Sequence, residues 1–240
     1  MTEDILESHL ERQAEKSQSF FWNRLRWELI SSHLPDGPAE LVDVGAGVGF
    51  LGDFLRERQP QIQYRFVEPL AGLEQQLTER FGAESNRRDR DFGEAGFVTL
   101  MDVLEHQRDD RAFMAELAAK MRPGSTLLLT VPAMPSLWSD WDAMLGHFRR
   151  YTKASLRGAV DTLPLEVVEV SYLFPELVPL AWVRRLRLRS DGAGDAADAE
   201  FPDLPPALNE ALYKVGKGTV AGRRFSPVGS SLFAVIRRSA

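Results

Sequence analysis

The stretch LVDVGAGVGFLG, residues 41–52, decides the fold and raises the question of its ligand. A short apolar run, interrupted by Asp43, leads into Gly45, Gly47 and Gly49 at every second position, and further apolar residues follow. Because glycine has no side chain and adopts left-handed backbone conformations, such a loop lets the backbone approach a ligand closely. The stretch therefore predicts a strand, a ligand-binding loop and a helix.

The composition is typical of one globular domain. The chain has 240 residues, of which 44% are hydrophobic and 10% aromatic, which is enough for a sizeable core. The formal net charge of -6 argues against nucleic acid as a main partner. Cysteine is absent, so disulfide bonds, thiolate metal sites and a cysteine nucleophile are excluded.

The beginning of the chain and its apolar segments favour a cytoplasmic location. MTEDILESHLERQAEKSQ, residues 1–18, is charged throughout and has no apolar centre of the kind that a signal peptide needs. No apolar stretch approaches the roughly 18 residues expected of a membrane-spanning helix. We therefore predict a cytoplasmic protein.

Strand and helix patterns alternate between residues 41 and 132, at the spacing of βαβ units. This alternation predicts a doubly wound, mostly parallel α/β sheet. A further strand is expected near AESNRRDR, residues 83–90, although that stretch is polar. The clear strands in this part of the chain are LVDV (41–44), YRFVE (64–68), GFVTLMDV (96–103) and STLLLTVP (125–132).

One domain accounts for the whole chain, since no second core of independent size is visible. The expected parts are helices in 1–35, a cofactor-binding core in 41–172, a helical insertion or lid in 173–226 and a last strand in 227–240.

An ATP-binding loop of the Walker type does not fit the glycine-rich stretch. Gly47 and Gly52 have the spacing of that motif, but Asp53 stands where its lysine should be. A carboxylate at this position would repel a triphosphate.

A nicotinamide dinucleotide is a closer alternative, and it would make the protein an NAD(P)-dependent oxidoreductase. Gly47, Gly49 and Gly52 match the G-x-G-x-x-G fingerprint. However, the first glycine of that fingerprint directly follows the strand, and Gly45 already does so here. Counted from Gly45, the third glycine position holds Phe50, which is too large for close helix–strand packing.

S-adenosylmethionine explains the two acidic residues at the strand ends. Asp43 lies one residue from the end of its strand, where its carboxylate can order the loop or meet a cation. S-adenosylmethionine supplies a sulfonium and an ammonium group and has no phosphate. Glu68 ends the second strand, where it can accept hydrogen bonds from ribose hydroxyls. The alternatives are an Asp43 that only caps the turn at Gly45 and a solvated Glu68.

Taken together, these segments resemble the class I S-adenosylmethionine-dependent methyltransferases. The resemblance covers about residues 20–172 and implies a seven-stranded Rossmann-like sheet, with SSLFAVIRR (230–238) as its antiparallel seventh strand. The matching segments are VDVGAGVGFLG (42–52), RFVEP (65–69), LMDVLEH (100–106), MRPGSTLLLTVP (121–132) and MLGHFRRYT (144–152).

The resemblance also implies where the cofactor and the methyl acceptor bind. An acid near the adenine would be Asp89 or Asp91 in the polar third strand. The other expected cofactor-binding residues are Asp43, Gly45, Ala46, Gly47, Gly49, Glu68, Pro69, Met101, Asp102 and Val103. The loop after the fifth strand would hold the acceptor through Arg149, Arg150 and Tyr151.

His106 and His147 are the candidate catalytic residues, because methyl transfer needs a general base only where the acceptor must lose a proton. His106 could equally be a histidine at the start of a helix, and the loop residues after the fifth strand could be a solvated turn. The four histidines are dispersed and show no paired spacing, so no metal site is predicted.

The predicted activity is methyl transfer from S-adenosylmethionine to a small-molecule or lipid-like acceptor, by in-line displacement on the sulfonium methyl. A non-catalytic module that binds an adenosine cofactor is a further alternative.

In 174–189 an apolar stretch with Trp182 precedes four arginines, a pattern that suits an anionic membrane surface. A lid helix with a solvated basic edge explains that pattern better. The arginines are Arg184, Arg185, Arg187 and Arg189.

Overall fold

The computed structural model describes residues 20–88, 92–183 and 204–239, apart from the side chain of Trp141. Its helices are α1 (Phe21–Ser31), α2 (Phe50–Arg58), α3 (Ala71–Phe81), α4 (Asp110–Lys120), α5 (Asp140–Met144), α6 (Lys153–Val160) and α7 (Pro206–Ala221). Its strands are β1 (Ala39–Val44), β2 (Ile62–Val67), β3 (Phe97–Met101), β4 (Thr126–Pro132), β5 (Leu165–Leu173) and β6 (Ser231–Arg238).

The strands form one sheet in the order β2-β1-β3-β4-β6-β5. Strands β1 to β4 pair in parallel, whereas β6 runs antiparallel to both of its neighbours, β4 and β5. The carboxyl ends of the four parallel strands therefore meet at one edge of the sheet, where open α/β sheets bind their ligands. The predicted doubly wound fold and the antiparallel last strand are confirmed.

The seven strands implied by the resemblance are not confirmed, since the described residues form six. Where the polar third strand was expected, Ala83–Ser85 forms a 3-10 turn, and Asn86 makes only an isolated parallel bridge to Phe66. The Asn86 amide donates instead to Glu74 of α3, at 2.6 Å. A stretch without apolar side chains has little to bury against the sheet, so its polar groups bind the neighbouring helix. Asp89 and Asp91 lie outside the described residues.

The two faces of the sheet build two cores because side chains alternate along each strand. Val42 and Val44 of β1 face a core that includes residues of α4 and α6. Leu41 faces the opposite core, to which α1, α2, α3 and α7 contribute. Asp43 shares the face of Leu41, which places a carboxylate on the side that α1 covers.

The expected insertion contacts the amino-terminal helix. The hydroxyl of Tyr213 in α7 donates to Glu28 of α1 at 2.6 Å, and Asn209 accepts a hydrogen bond from the Phe21 amide at 2.9 Å. Within the described part of the chain, no helix has the length and apolar character needed to cross a membrane. The four arginines predicted to edge a lid or meet a membrane, Arg184 to Arg189, lie outside the described residues.

Candidate functional site

The glycine loop turns sharply between β1 and α2. Gly45, Gly47 and Gly49 have φ values of 72°, 56° and 80°, in the left-handed region that favours glycine. The Gly45 amide donates to the Val67 carbonyl at 2.8 Å, which ties the loop to the end of β2. A Cβ atom on Gly45 would lie 2.5 Å from Val103, whereas one on Gly47 would meet open space. A side chain at Gly47 would therefore enter open space at the carboxyl edge of the sheet, and we call this space the Gly47 cradle.

Glu68 holds the glycine loop from the end of β2. One carboxylate oxygen accepts from the Gly47 amide at 2.7 Å, and the other accepts from the Leu70 amide, just before α3, at 2.9 Å. Glu68 is buried, so it is not the solvated strand-end acid considered as the alternative. Its predicted bonding to a ribose stays a prediction.

Asp43 does not cap the turn at Gly45, whose amide bonds Val67 instead, and its predicted contact with a cofactor cation stays a prediction. Its carboxylate accepts hydrogen bonds from Thr99 of β3 at 2.7 Å and from the Tyr64 hydroxyl of β2 at 3.0 Å. Burial raises the pKa of Asp43 to about 6, and the two hydrogen bonds oppose that rise. Asp43 thus connects three parallel strands beneath the loop.

Asp102 follows β3 in a left-handed conformation, with φ 55°. It accepts a hydrogen bond from Thr130 at 3.2 Å and forms an ion pair with Arg26 of α1. Arg26 is itself buried and also donates to Asn23 at 2.7 Å. Arg26 was not predicted from the sequence, although an arginine in an amphipathic helix between Leu25 and Trp27 was a usable signal.

Glu105 and His106, which are consecutive, meet the distant His147 beyond Asp102, and we call these three residues the histidine cluster. The rings of His106 and His147 pack edge to face with centroids 4.7 Å apart. Nε2 of His147 lies 4.0 Å from Oε1 of Glu105. The structure therefore brings together two histidines that sequence spacing leaves apart.

Burial dominates the electrostatics of the histidine cluster. It raises the pKa of Glu105 well above its usual range, with a further rise from the charge of Asp102. Burial and the neighbouring ring of His147 lower the pKa of His106 to about 4, so that ring is neutral at physiological pH. Both oxygens of Glu105 are buried without a hydrogen bond.

Asp142 of α5 organises the loop after β4. One of its oxygens accepts from Nδ1 of His147 at 3.0 Å and from Nε of Arg150 at 2.7 Å, and the other accepts from the Ser139 amide at 3.0 Å. Burial raises its pKa, but the bonds from His147 and Arg150 outweigh this and leave it below the usual value. Asp142 and Glu105 were not predicted, although Glu105 directly precedes a candidate histidine.

Two of the predicted acceptor-binding residues have structural partners instead. The Tyr151 side chain is buried, and its hydroxyl donates to Asp110 at 2.9 Å. Arg149 pairs with the same oxygen of Asp110 at 2.9 Å and donates to the Arg108 carbonyl. Tyr151 and Arg149 therefore fasten the loop to α4, which argues against the acceptor-binding role predicted for them.

The remaining predicted residues lie around the glycine loop. Met101 ends β3, Val103 packs against Gly45, and Ala46 is partly buried against the core beside α1. Pro69 is exposed directly after Glu68. These positions lie just after β1, β2 and β3 or at the end of β3, at the carboxyl edge of the sheet.

A model of a protein family, described as a methyltransferase domain, matches residues 10–170. The chain belongs to this methyltransferase family. The family, the enzyme class and the cofactor that the sequence analysis predicted, S-adenosylmethionine, are thereby confirmed. A curated relative from Xanthomonas axonopodis pv. citri (strain 306), named ubiquinone biosynthesis O-methyltransferase, is 26% identical over 190 residues, which cover 70% of this chain and 78% of the relative.

Solved methyltransferases have the same fold. Geranyl diphosphate C-methyltransferase from Streptomyces coelicolor A3(2), in complex with S-adenosyl-L-homocysteine, has a TM-score of 0.58 at 14% identity and covers 90% of this chain and 76% of its own. Phosphoethanolamine N-methyltransferase 2 from Haemonchus contortus, in complex with S-adenosyl-L-methionine, has a TM-score of 0.57 at 14% identity. The match covers 91% of this chain and 53% of the Haemonchus chain. The names of these proteins include O-, C- and N-methyltransferases, so the fold alone does not define the acceptor.

Proposed function

We propose that this methyltransferase transfers the methyl group of S-adenosylmethionine to a hydroxyl oxygen of a small, phenol-like acceptor. The observation that carries the proposal is His147, whose ring is held by a buried carboxylate near the carboxyl edge of the sheet. A hydroxyl acceptor must lose its proton, and an oriented imidazole suits that task. The name of the curated relative, an O-methyltransferase, supports the same acceptor atom.

The cofactor site fits the two ends of S-adenosylmethionine. The open cradle at Gly47 leaves room for the adenosine half beside Glu68, which is the candidate ribose acceptor. Arg26 and Asp102 present a guanidinium and a carboxylate side by side. This is the pair of charges that the carboxylate and ammonium of an amino acid require. When bound, the cofactor supplies a methyl carbon already activated by its sulfonium leaving group.

The acceptor side favours an acidic hydroxyl over an aliphatic alcohol. A phenolic hydroxyl has a pKa of about 10, within reach of an imidazole base, whereas an alkyl alcohol is far less acidic. In the proposed reaction Nε2 of His147 accepts the hydroxyl proton, while Asp142 holds the other ring nitrogen and stabilises the protonated ring. Arg150, fixed on Asp142 and the Ala133 carbonyl, borders this space and attracts the oxyanion.

Transfer of a labelled methyl group from S-adenosylmethionine to a panel of phenols, amines and prenyl diphosphates tests the proposal. We expect a phenol to accept the label, and His147→Ala to lower kcat by about 100-fold, within the range of general base catalysis. His33→Ala is the matched control, because His33 lies just after α1, where its ring contacts Leu29, Ser32 and Phe233. Labelling of amines alone, or unchanged kcat in His147→Ala, would contradict it.

A further inference from the structure

We propose that the histidine cluster binds a divalent metal ion, with Zn²⁺ or an ion of similar ligand preference as its occupant. Glu105, His106 and His147 each offer one ligand atom, and these three atoms all lie within 4.8 Å of one another. Small side-chain rotations bring such atoms to the roughly 2.0–2.2 Å that imidazole and carboxylate ligands keep from Zn²⁺.

The surroundings of Glu105 are the independent observation that points to a cation. Its side chain is fully buried, and neither carboxylate oxygen has a hydrogen bond. The neighbouring acids are paired, since Asp102 contacts Arg26 and Asp142 contacts Arg150. A buried carboxyl group without a hydrogen bond costs free energy that a coordinated cation would recover. Oε1 of Glu105 lies 4.0 Å from Nε2 of His147.

The imidazole of His147 is already oriented as a metal ligand. Metal-binding histidines usually engage their second ring nitrogen with a carboxylate or a carbonyl, which fixes the tautomer. Nδ1 of His147 bonds Asp142 at 3.0 Å, which leaves Nε2 of His147 available to an ion.

The ligand set selects the class of ion. Two imidazoles and one carboxylate suit Zn²⁺, Co²⁺, Mn²⁺ or Fe²⁺, whereas Ca²⁺ and Mg²⁺ prefer sites made of oxygen. Three protein ligands also leave a coordination position for a water or an acceptor oxygen. That role in the reaction rests on the proposed function, whereas binding of the ion does not. A coordinated Nε2 of His147 cannot accept a proton, so the general-base role proposed for His147 applies to the protein without the ion.

Titration of the chelator-treated protein with Co²⁺ and Zn²⁺ tests the site. We expect one equivalent of Co²⁺ to give a visible absorption spectrum of nitrogen and oxygen coordination, and Zn²⁺ to displace it. His147→Ala and Glu105→Gln should weaken binding by at least about tenfold, and Asp142→Asn by about tenfold through the orientation of His147. Circular dichroism establishes that each variant is folded.

Matched controls exist elsewhere in the chain. Glu176→Gln removes another carboxylate whose oxygens are buried without a hydrogen bond but which does not belong to the histidine cluster. His33→Ala removes a histidine at the end of α1. Both controls should bind Co²⁺ as the wild type does.

Absence of stoichiometric Co²⁺ binding, or equal binding by the wild type and His147→Ala, would overturn the metal site. This holds even if Glu105→Gln fails to fold. Co²⁺ binding without methyl transfer to any phenol would leave the metal site standing and remove the proposed acceptor. Methyl transfer that is unaffected by chelation, together with no Co²⁺ binding, would remove the metal site and leave the proposed acceptor standing.

Discussion

Asp43 and Glu105 are equally buried carboxyl groups in two neighbouring regions of the molecule, and their surroundings are opposite. Asp43 lies between strands, and both of its oxygens accept hydrogen bonds from hydroxyl groups. Glu105 lies just past the end of β3, and neither of its oxygens has a hydrogen bond. Burial raises the pKa of both carboxyl groups. The fold itself therefore supplies the hydrogen bonds that the Asp43 carboxyl group needs. The Glu105 carboxyl group is stabilised only when a ligand is bound or when the acid keeps its proton.

The difference in hydrogen bonding between Asp43 and Glu105 distinguishes residues that support the fold of the site from residues that are candidates for binding and turnover. Asp43, Tyr64 and Thr99 fix the relative positions of β1, β2 and β3, and through them the start of the glycine loop. The carboxylate oxygens of Glu105 make no comparable hydrogen bonds, and we have proposed a metal ion as their partner. Substitutions in the first region should consequently change stability, and substitutions in the second should change binding or turnover.

The largest expected effect comes from the cradle above the Asp43 region. Gly47→Val should lower the affinity for S-adenosylhomocysteine by at least about 100-fold, or about 2.7 kcal/mol, because the side chain would occupy ligand space. Isothermal titration calorimetry measures this affinity. Gly93→Val is the matched control, since Gly93 has the same φ of 56° and open space around its Cβ but lies in an exposed turn. An equal loss of affinity in both variants would assign the effect to backbone strain.

The next effect tests whether Asp43 belongs to the framework. Its folded pKa of about 6 exceeds the ordinary value of 3.8, so its contribution to stability is full below pH 3.8 and disappears as the pH rises through 6. Relative to Asp43→Asn, which does not titrate, the wild type should lose about 2 kcal/mol of unfolding free energy between pH 4 and pH 7. Urea unfolding at several pH values measures the difference. A pH-independent difference would show that Asp43 titrates normally.

Sequence patterns could predict the backbone of this site better than its side-chain partners. The alternation of strands and helices placed Gly45, Gly47 and Glu68 at the carboxyl edge of the sheet, because that edge follows from local periodicity and topology. The polar stretch around Asn86 has no such periodicity, and in place of the predicted strand Asn86 forms a single isolated bridge to Phe66. Elements with a strong apolar pattern were therefore predictable.

Contacts between distant segments were not predictable from local patterns. The direction in which Asp43 points depends on hydroxyls in β2 and β3, and the meeting of His106 with His147 depends on how the loop after β4 folds back. Arg26 reaches Asp102 only because α1 covers that face of the sheet. Each of these contacts joins residues whose separation in sequence carries no signal of their closeness in space.

The smallest expected effect, that of Tyr151→Phe, tests whether Tyr151 supports the fold or takes part in methyl transfer with the histidine cluster. Tyr151→Phe removes a hydroxyl that donates to Asp110, so it should lower the unfolding free energy by about 1 kcal/mol. Because that hydroxyl is buried and engaged, methyl transfer and S-adenosylhomocysteine affinity should stay within about twofold of the wild type, well under the tenfold change that 1.4 kcal/mol produces. Urea unfolding and kinetics measured beside His147→Ala make the comparison. Loss of turnover in Tyr151→Phe at unchanged stability would show that Tyr151 belongs to the acceptor site. That site would then reach from the histidine cluster to α4.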